Sequence, residues 1–231
     1  IAVDPIEGTN FAANNLPGAL SVISISEKGN LFNAPETYMD KLAVGKNVPF
    51  DATDLDFPVE KNIKNIADAK NKDLEKITVC ILDRPRHKEI IDKIRSLKVN
   101  LKLISDGDVT GALLVTDEKY KVDIFLGIGG GPEGVLAASA LDAYGCKFQG
   151  RFLFNSDNDK NRAKIMGITD LNKKYELREI VKGDSIFCAT GITDNELVNG
   201  IKLTDGKFIT ETLVTYKNSV PYIVKKEVPI T

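Results

Sequence analysis

Apolar residues between positions 77 and 143 alternate between short continuous runs and positions spaced as on a helix. The short runs have the length and composition of buried strands, and each precedes a helical pattern. The predicted pairs are strand 77–82 with helix 86–97, strand 101–104 with a helix beginning at 109–114, and strand 122–126 with helix 133–143. Successive strand–helix units predict a parallel or mixed sheet covered by helices, and therefore the α/β class.

The regions on either side of these units contain weaker patterns. Residues 19–33 alternate loosely between polar and apolar and are interrupted at 27–30, which predicts a β-hairpin or meander. Residues 35–42 have the composition of a short helix that begins with proline, so Tyr38 would lie on a helix. Residues 59–70 predict a helix from their apolar spacing, and residues 184–225 predict further strands with turns at glycine.

Composition narrows the classes of function. The chain has 231 residues, 42% of them hydrophobic, which suffices for the core of one large domain or two small ones. The formal net charge is −2 and no segment concentrates Lys and Arg, so we expect no binding to nucleic acid or to an anionic membrane. The apolar runs are also too short to cross a bilayer.

Cysteine and histidine usage limits the kinds of metal site. Cys80, Cys146 and Cys188 are odd in number and form no Cys-x-x-Cys pair, so we expect neither a disulfide framework nor a zinc cage, and a reducing cytoplasm fits best. The only histidine is His87, which we expect to be a packing or helix-start residue, and sites built from two histidines are excluded. A metal here would take oxygen ligands, which favours Mg²⁺ or Mn²⁺.

The most informative motif is residues 4–9, with the sequence DPIEGT. The carboxylates of Asp4 and Glu7, together with the intervening carbonyl, can converge on one hard cation. Gly8 permits a close turn, and Thr9 begins a predicted helix whose free N–H groups attract phosphate. The alternative interpretation is an ordinary turn that uses Asp, Pro and Gly.

Two further polar segments follow predicted strands. Arg84 and Arg86 flank Pro85 and can point the same way at a strand end, where guanidinium groups hold phosphate by paired hydrogen bonds. At the next strand end, Asp106 and Asp108 supply carboxylates that could bind sugar hydroxyls. The alternatives are a solvated basic loop for the first segment and a helix N-cap for the second.

The glycine-rich run at residues 127–134 follows an apolar strand and opens a helix. It contains the pattern G-x-G-x-x-G, and Asp157 lies about 23 residues beyond Gly134, so a nucleotide-binding oxidoreductase is a rival interpretation. Two features argue against a dinucleotide site: Pro132 stiffens the loop, and the negative charge of Glu133 stands where a pyrophosphate would lie and would repel it. A carboxylate at that position makes better sense as a metal ligand beside a phosphate.

Six blocks of the sequence, in order and at approximate spacing, resemble bacterial class II fructose-1,6-bisphosphatase, a family of the lithium-sensitive sugar and inositol phosphatase superfamily. The blocks are residues 3–9, 38–42, 83–87, 106–108, 127–135 and 189–193. The resemblance covers roughly residues 1–215. It implies an α/β protein with the layered α/β/α/β sandwich of the sugar phosphatase type, mixed sheets and a divalent-metal site.

The resemblance also implies a role for each matching residue. Asp4, Glu7 and Glu133 match metal ligands for Mn²⁺ or Mg²⁺, and Glu7 and Thr9 match catalytic positions. The residues that match substrate contacts are Glu7, Gly8, Thr9, Tyr38, Arg84, Pro85, Arg86, Asp106, Gly107, Asp108 and Gly130. The implied reaction is hydrolysis of the 1-phosphate of fructose 1,6-bisphosphate to fructose 6-phosphate, a gluconeogenic step, by a cytoplasmic homo-oligomer (dimer or tetramer).

Several expectations and alternatives remain open at this point. The family has further metal-binding carboxylates upstream of residue 4, and residues 1–3 resemble the end of a buried strand, so we expect a segment upstream of this chain. A more basic tail is expected than the Tyr216 and Lys217 found here. The alternative functions are sedoheptulose-bisphosphatase or inositol-phosphatase activity, the oxidoreductase, and a non-catalytic phosphosugar sensor; paired arginines favour a substrate with two phosphates.

These patterns divide the chain into three predicted segments. Residues 1–75 would be the remainder of a first α+β layer with the metal- and phosphate-binding loop. Residues 76–190 would hold the three strand–helix units with the substrate-binding loops, and residues 191–231 the C-terminal strands.

Overall fold

The computed structural model describes residues 1–230. Within this range the chain forms twelve β-strands and seven α-helices. The strands are β1 (Ala2–Glu7), β2 (Leu20–Ser26), β3 (Tyr38–Val44), β4 (Thr78–Leu82), β5 (Asn100–Ile104), β6 (Ile124–Gly130), β7 (Lys147–Leu153), β8 (Lys174–Glu176), β9 (Ser185–Gly191), β10 (Lys202–Thr204), β11 (Lys207–Tyr216) and β12 (Tyr222–Pro229). The helices are α1 (Thr9–Ala13), α2 (Val59–Ala69), α3 (Lys88–Ser96), α4 (Asp108–Leu113), α5 (Gly131–Ala143), α6 (Asp157–Ile165) and α7 (Leu177–Ile180).

The strands form two six-stranded sheets. The first sheet has the order β1-β2-β9-β11-β10, with β12 also paired to β11, and is antiparallel throughout. The second has the order β5-β4-β6-β3-β7-β8 and is mixed, because β4 runs parallel to β5 and β6 whereas β3 runs antiparallel to β6 and β7. The predicted strand–helix units are present as β4–α3, β5–α4 and β6–α5.

Helices α4 and α5 lie between the two sheets, and α2 and α3 cover the other face of the second sheet. Ten residues of α5 are buried, and small side chains such as Ala137 and Ala140 let both sheets approach it closely. A helix that is apolar all round is typical of this buried position. On the outer face of the second sheet, Ile63 of α2 and Ile94 of α3 share a core cluster with Ile81 of β4. The predicted layered α/β/α/β sandwich with mixed sheets is therefore confirmed.

The prediction of a short helix at residues 35–42 is wrong. Tyr38–Val44 is β3, which pairs along its whole length with β6 on one side and β7 on the other. Backbone pairing on both edges and burial of Met39 and Leu42 outweigh the local helical composition, because tertiary contacts routinely override propensity. Tyr38 therefore lies on a strand.

Other boundaries also differ from the sequence patterns. The predicted hairpin at residues 19–33 is absent from the described chain, since β2 pairs with β1 and β9 while Leu31 forms a single bridge with Val181. Strand β6 continues to Gly130, so the first glycines of the 127–134 run are in a strand. β1 is an edge strand with Val3 57% exposed, which corrects the expectation of a buried strand at residues 1–3.

The three predicted segments stay a prediction about domain boundaries. They do not coincide with the sheets, because β3 of the first segment lies in the second sheet and β9 of the second segment lies in the first sheet. Among the described residues, no helix combines the length and apolar character needed to cross a membrane.

Candidate active site

A polar cavity of about 230 Å³ opens where the carboxyl ends of β4, β5 and β6 meet β1 and the start of α1. These three strands are neighbours in the order β5-β4-β6, so the loops that follow them converge at one edge of the sheet. The cavity contains every predicted site residue except Tyr38 and Pro85. Its lining residues are Asp4, Ile6, Glu7, Gly8, Thr9, Leu82, Arg84, Arg86, Asp106, Gly107, Asp108, Gly129, Gly130 and Glu133.

An irregularity in β1 turns Asp4 and Glu7 to the same side of the sheet. Side chains three residues apart in a regular strand point to opposite faces. Here Asp4 is paired with Val22 and Glu7 with Leu20, so three steps along β1 match two steps along β2. The extra residue is a β-bulge, and it places both carboxylates on the inner face beside the cavity.

The carboxylate of Glu7 is buried at the start of α4. Its Oε1 accepts a hydrogen bond from the Val109 N–H at 2.6 Å, and its Oε2 accepts one from the Thr110 hydroxyl at 3.3 Å. Burial, with a further contribution from the charges of Asp108 and Asp4, raises the pKa of Glu7 to about 8 against the effect of the Val109 hydrogen bond. Glu7 is thus held firmly in place while its negative charge is poorly compensated.

Asp4 and Glu133 face the same cavity as Glu7. Burial raises the pKa of Asp4, aided by the charge of Asp106, although the Ile6 N–H donates to Asp4 Oδ1 at 3.0 Å. Burial also raises the pKa of Glu133, with Asp108 and Asp4 adding to the shift and Lys41 opposing it. Among residues 1–230, no three His, Cys, Asp or Glu side chains converge closely enough to hold a metal ion by themselves.

Two glycines at the end of β6 make room for carboxylates. A Cβ atom at Gly129 would collide with the carboxylate of Asp108, and one at Gly130 would collide with that of Glu133. Neither glycine has a positive φ, so the requirement is space and not backbone conformation. The glycine-rich run therefore lets two acidic side chains lie flat against the strand end.

The two arginines are partly engaged by neighbouring groups. Arg84 Nη2 lies 3.3 Å from Asp106 Oδ1, and Arg86 donates from Nε and Nη2 to the Ile128 carbonyl oxygen at 2.9 and 2.6 Å. The Arg86 guanidinium also lies over the ring of Tyr38, 4.9 Å from its centroid. Each guanidinium has five N–H donors, so both retain donors for a ligand.

Comparison with known proteins decides the family. A model described as bacterial fructose-1,6-bisphosphatase, glpX-encoded, matches residues 1–226. The chain belongs to this family. Curated relatives named D-fructose 1,6-bisphosphatase class 2/sedoheptulose 1,7-bisphosphatase include one from Synechococcus sp. that is 38% identical over 232 residues and one from Synechocystis sp. that is 37% identical over 232 residues. Both matches cover 95% of this chain and 67% of the relative, so the chain spans about two thirds of their length.

Membership of the fructose-1,6-bisphosphatase family decides between the two interpretations of the glycine-rich run. The family is one of phosphatases, which are hydrolases, so the oxidoreductase interpretation is set aside. The structure agrees with this, because Gly129 accommodates the Asp108 carboxylate, and Asp157 lies outside the residues that line the cavity. The roles assigned to individual site residues stay predictions.

His87 links the ends of β4 and β6 from a buried position, as expected of a packing residue. Its Nε2 accepts a hydrogen bond from the Ile128 N–H at 2.7 Å, so Nδ1–H donates to the Leu82 carbonyl oxygen, also at 2.7 Å. This pattern requires the neutral imidazole. His87 holds the peptide group before Ile128 and Arg86 holds the one after it, so the backbone leading to Gly129 is fixed by both side chains.

We expect His87 to titrate below its usual pKa of 6.5, because burial and the charges of Arg86 and Arg84 disfavour the imidazolium. A lowered pKa in the folded state contributes stability above pH 6.5 that is lost as pH falls through the folded-state pKa. The chain has a single histidine, so its imidazole signal in an NMR titration is unambiguous. A midpoint at or above 6.5 would contradict the hydrogen-bond pattern.

Lys41 is the main residue near the site that the sequence did not reveal. Its ammonium forms a buried ion pair with Oδ2 of Asp108, and the side chain is only 1% exposed. A lysine inside an apolar strand indicates a buried charge that needs a partner. Residues 38–42 were predicted to form a helix, on which a lysine is common, so this signal was missed.

Proposed function

We propose that this protein hydrolyses the 1-phosphate of fructose 1,6-bisphosphate to fructose 6-phosphate, using a divalent metal ion. The observation that supports this most strongly is the single cavity that unites the residue 4–9 loop with Glu133 and the two arginines. An acidic region beside a basic pair is the arrangement that a bisphosphate with a bound cation requires. Family membership supports the same reaction.

Asp4, Glu7 and Glu133 are the residues that we propose as metal ligands, with Mn²⁺ or Mg²⁺ as the ion. All three offer oxygen, the donor that these cations prefer, and all three line one cavity; since no three such side chains in residues 1–230 converge closely enough to hold an ion alone, oxygens of the phosphate or of water would complete its coordination. The raised pKa of each reflects burial and crowding with like charge, which a cation would relieve. When bound, the ion supplies Lewis acidity that neutralises phosphate charge and activates water.

The remaining steps are assigned to groups of the chain itself. The Thr9 hydroxyl, at the first residue of α1, would position the water that attacks phosphorus in line with the leaving sugar oxygen. The water oxygen would bond to phosphorus as the bond between phosphorus and the sugar oxygen breaks, and the proton lost by the water would end on the sugar oxygen, without a phospho-enzyme. Gly8, with φ 78°, turns the backbone so that the start of α1 faces the phosphate.

The arginines and aspartates would hold the rest of the substrate. Arg84 and Arg86 bind the remote phosphate and fix the register of the sugar. Asp106 and Asp108, on either side of Gly107, accept hydrogen bonds from sugar hydroxyls. Since Lys41 already binds Oδ2 of Asp108, Oδ1 is the oxygen of that carboxylate more available to a hydroxyl.

Sedoheptulose 1,7-bisphosphate is the second candidate substrate. The names of the cyanobacterial relatives include this activity. In this chain a second cavity of about 350 Å³ shares Gly130 and Glu133 with the first and extends towards Tyr38 and Asn155. A sugar one carbon longer has space to extend in that direction.

The test is phosphate release by the purified full-length protein from fructose, sedoheptulose and inositol phosphates, with Mn²⁺ or Mg²⁺ and with EDTA. We expect release from the two bisphosphates that stops with EDTA and returns when metal is added. Turnover that persists with EDTA, or the absence of any phosphate release in the presence of metal, would overturn the proposal.

We further propose a cytoplasmic location and a homo-oligomer. Three free cysteines, Cys80, Cys146 and Cys188, suit a reducing compartment. The outer face of the first sheet carries a cross-strand row of Val3, Ile23, Cys188, Val214 and Tyr222, of which Tyr222 is 48% exposed. An apolar row of this kind is typical of a surface covered by another polypeptide.

A further inference from the structure

Lys41 is one of the largest fully buried side chains in residues 1–230 and the only charged one among them. It lies on β3 in the middle of the second sheet, opposite Gly127 of β6 and Gly150 of β7. Its ammonium pairs with Asp108, which is 8% exposed. Removing two charges from water is costly, and an isolated buried charge is far more costly than a paired one. The pair is therefore a strong constraint on where Asp108 can lie.

The constraint on Asp108 extends to Glu7 through the first turn of α4. Asp108 is the first residue of α4, and the N–H of the next residue, Val109, donates to Glu7 Oε1 at 2.6 Å. An N–H in the first turn of a helix has no partner within the helix, so Glu7 is the partner of this one. Lys41 from the second sheet and Glu7 from the first sheet thus hold the same helical turn from opposite sides.

The space around Lys41 is shaped for this contact. The Asp108 carboxylate lies against Gly129, where a Cβ would collide with it. The Lys41 side chain passes Gly134 of α5, where a Cβ would lie 3.4 Å from Lys41 Cε. Its charge also acts on Glu133, one residue before Gly134. One ammonium is therefore close to the starts of both helices that carry site carboxylates.

We propose that Lys41 is a positioning residue, whose ion pair with Asp108 fixes the first turn of α4 and thereby the placement of Glu7 in the cavity. Lys41 touches no substrate in this scheme and acts through Asp108 and Val109. The expected effect of Lys41 on catalysis rests on the proposed function. The expected effect of Lys41 on the placement of Glu7 does not.

The direct test is amide hydrogen exchange at Val109 in the Lys41→Met variant, with Lys147→Met as the matched control. Lys147 is a second buried lysine, on the neighbouring strand β7, and it donates to the Phe50 and Thr53 carbonyl oxygens away from the cavity. We expect Val109 to exchange roughly tenfold faster or more in Lys41→Met, relative to the slowest amides of the second sheet, and to be unchanged in Lys147→Met. Equal rates in the two variants would overturn the proposal.

Lys41→Met leaves the Asp108 charge buried and unpaired, which could unfold the protein. A second variant therefore separates loss of the ion pair from loss of overall stability. Lys41→Met/Asp108→Asn removes both charges, and we expect it to recover the urea midpoint of the wild type while Val109 still exchanges fast. Wild-type protection of Val109 in this double variant would show that the ion pair does not hold the turn, and the proposal would fail.

A separate experiment tests the effect on catalysis by measuring phosphate release from fructose 1,6-bisphosphate with Mn²⁺. We expect kcat of Lys41→Met to fall roughly tenfold to a hundredfold, because loss of the ion pair displaces Glu7, and KM to change less, because only Asp108 among the residues it displaces would contact the sugar. Lys147→Met should keep the wild-type kcat. A wild-type chain that releases no phosphate would refute the proposed function alone, since Val109 exchange still decides the role of Lys41. Unchanged kcat in Lys41→Met would refute the positioning role in catalysis.

Discussion

Glu133→Gln is expected to reduce phosphate release from fructose 1,6-bisphosphate by roughly a thousandfold, because it removes one of the charges proposed to hold the divalent ion. Glutamine has the shape of glutamate and fits the same space against Gly130. The fold should therefore persist, with a free energy of unfolding within about 1 kcal/mol of the wild type. Initial rates at saturating Mn²⁺, together with urea unfolding, measure both quantities.

The matched control for Glu133→Gln is Glu60→Gln. Glu60 also lies in the first turn of a helix, α2, on the far side of the second sheet from the cavity. The control should release phosphate at the wild-type rate. A Glu133→Gln variant that keeps more than about a tenth of the wild-type rate would remove Glu133 from the metal site and leave Asp4 and Glu7 as the candidates.

Glu7→Gln is expected to stabilise the metal-free protein at pH 8 by a few kcal/mol. Burial raises the pKa of Glu7 from 4.5 to about 8, so the folded state favours the protonated carboxyl group. A raised pKa gives stability that is fully present below pH 4.5 and is lost as pH rises through 8. Between pH 5 and 8 the slope from this group approaches about 1.4 kcal/mol per pH unit. Glutamine stays neutral and still accepts the hydrogen bond from Val109.

Urea unfolding with EDTA at several pH values between 5 and 8 measures the effect. The difference between wild type and Glu7→Gln isolates Glu7 from the other groups that titrate in this range. We also expect Mn²⁺ to raise the wild-type urea midpoint at pH 8 and to raise that of Glu7→Gln much less. A pH-independent difference between the two proteins would mean that the Glu7 carboxylate is ionised throughout and compensated by another group.

The sequence predicted the strand–helix units well because their information is local. A run such as 77–82 and the helical spacing after it depend only on neighbouring residues, and β4 and α3 fall where they were predicted. The sequence also predicted that the loops after these strands lie close together, because neighbouring parallel strands place their carboxyl ends at one edge of the sheet. This is why Arg84, Asp106 and Gly130 were correctly expected in one place.

The errors arose where the structure depends on distant residues. β3 is a strand because β6 and β7 pair with its two edges, and neither partner can be read from residues 35–42. The burial of Lys41 depends on Asp108, which is 67 positions away in the sequence. Similarly, the glycine pattern at 127–134 left a nucleotide-binding loop open as a rival, because the contact between Gly129 and the Asp108 carboxylate becomes visible only in three dimensions.

The bulge in β1 has a consequence for how this segment can vary. Asp4 and Glu7 face the same side only because one surplus residue stands between them. Any change that made the strand regular without removing a residue would rotate one carboxylate to the solvent side, even though every acidic residue would still be present, whereas losing Pro5 or Ile6 would leave the two carboxylates two positions apart on one face. Residues 5 and 6 are therefore constrained although neither is acidic: they must keep the backbone irregular, because the direction of two carboxylates depends on it.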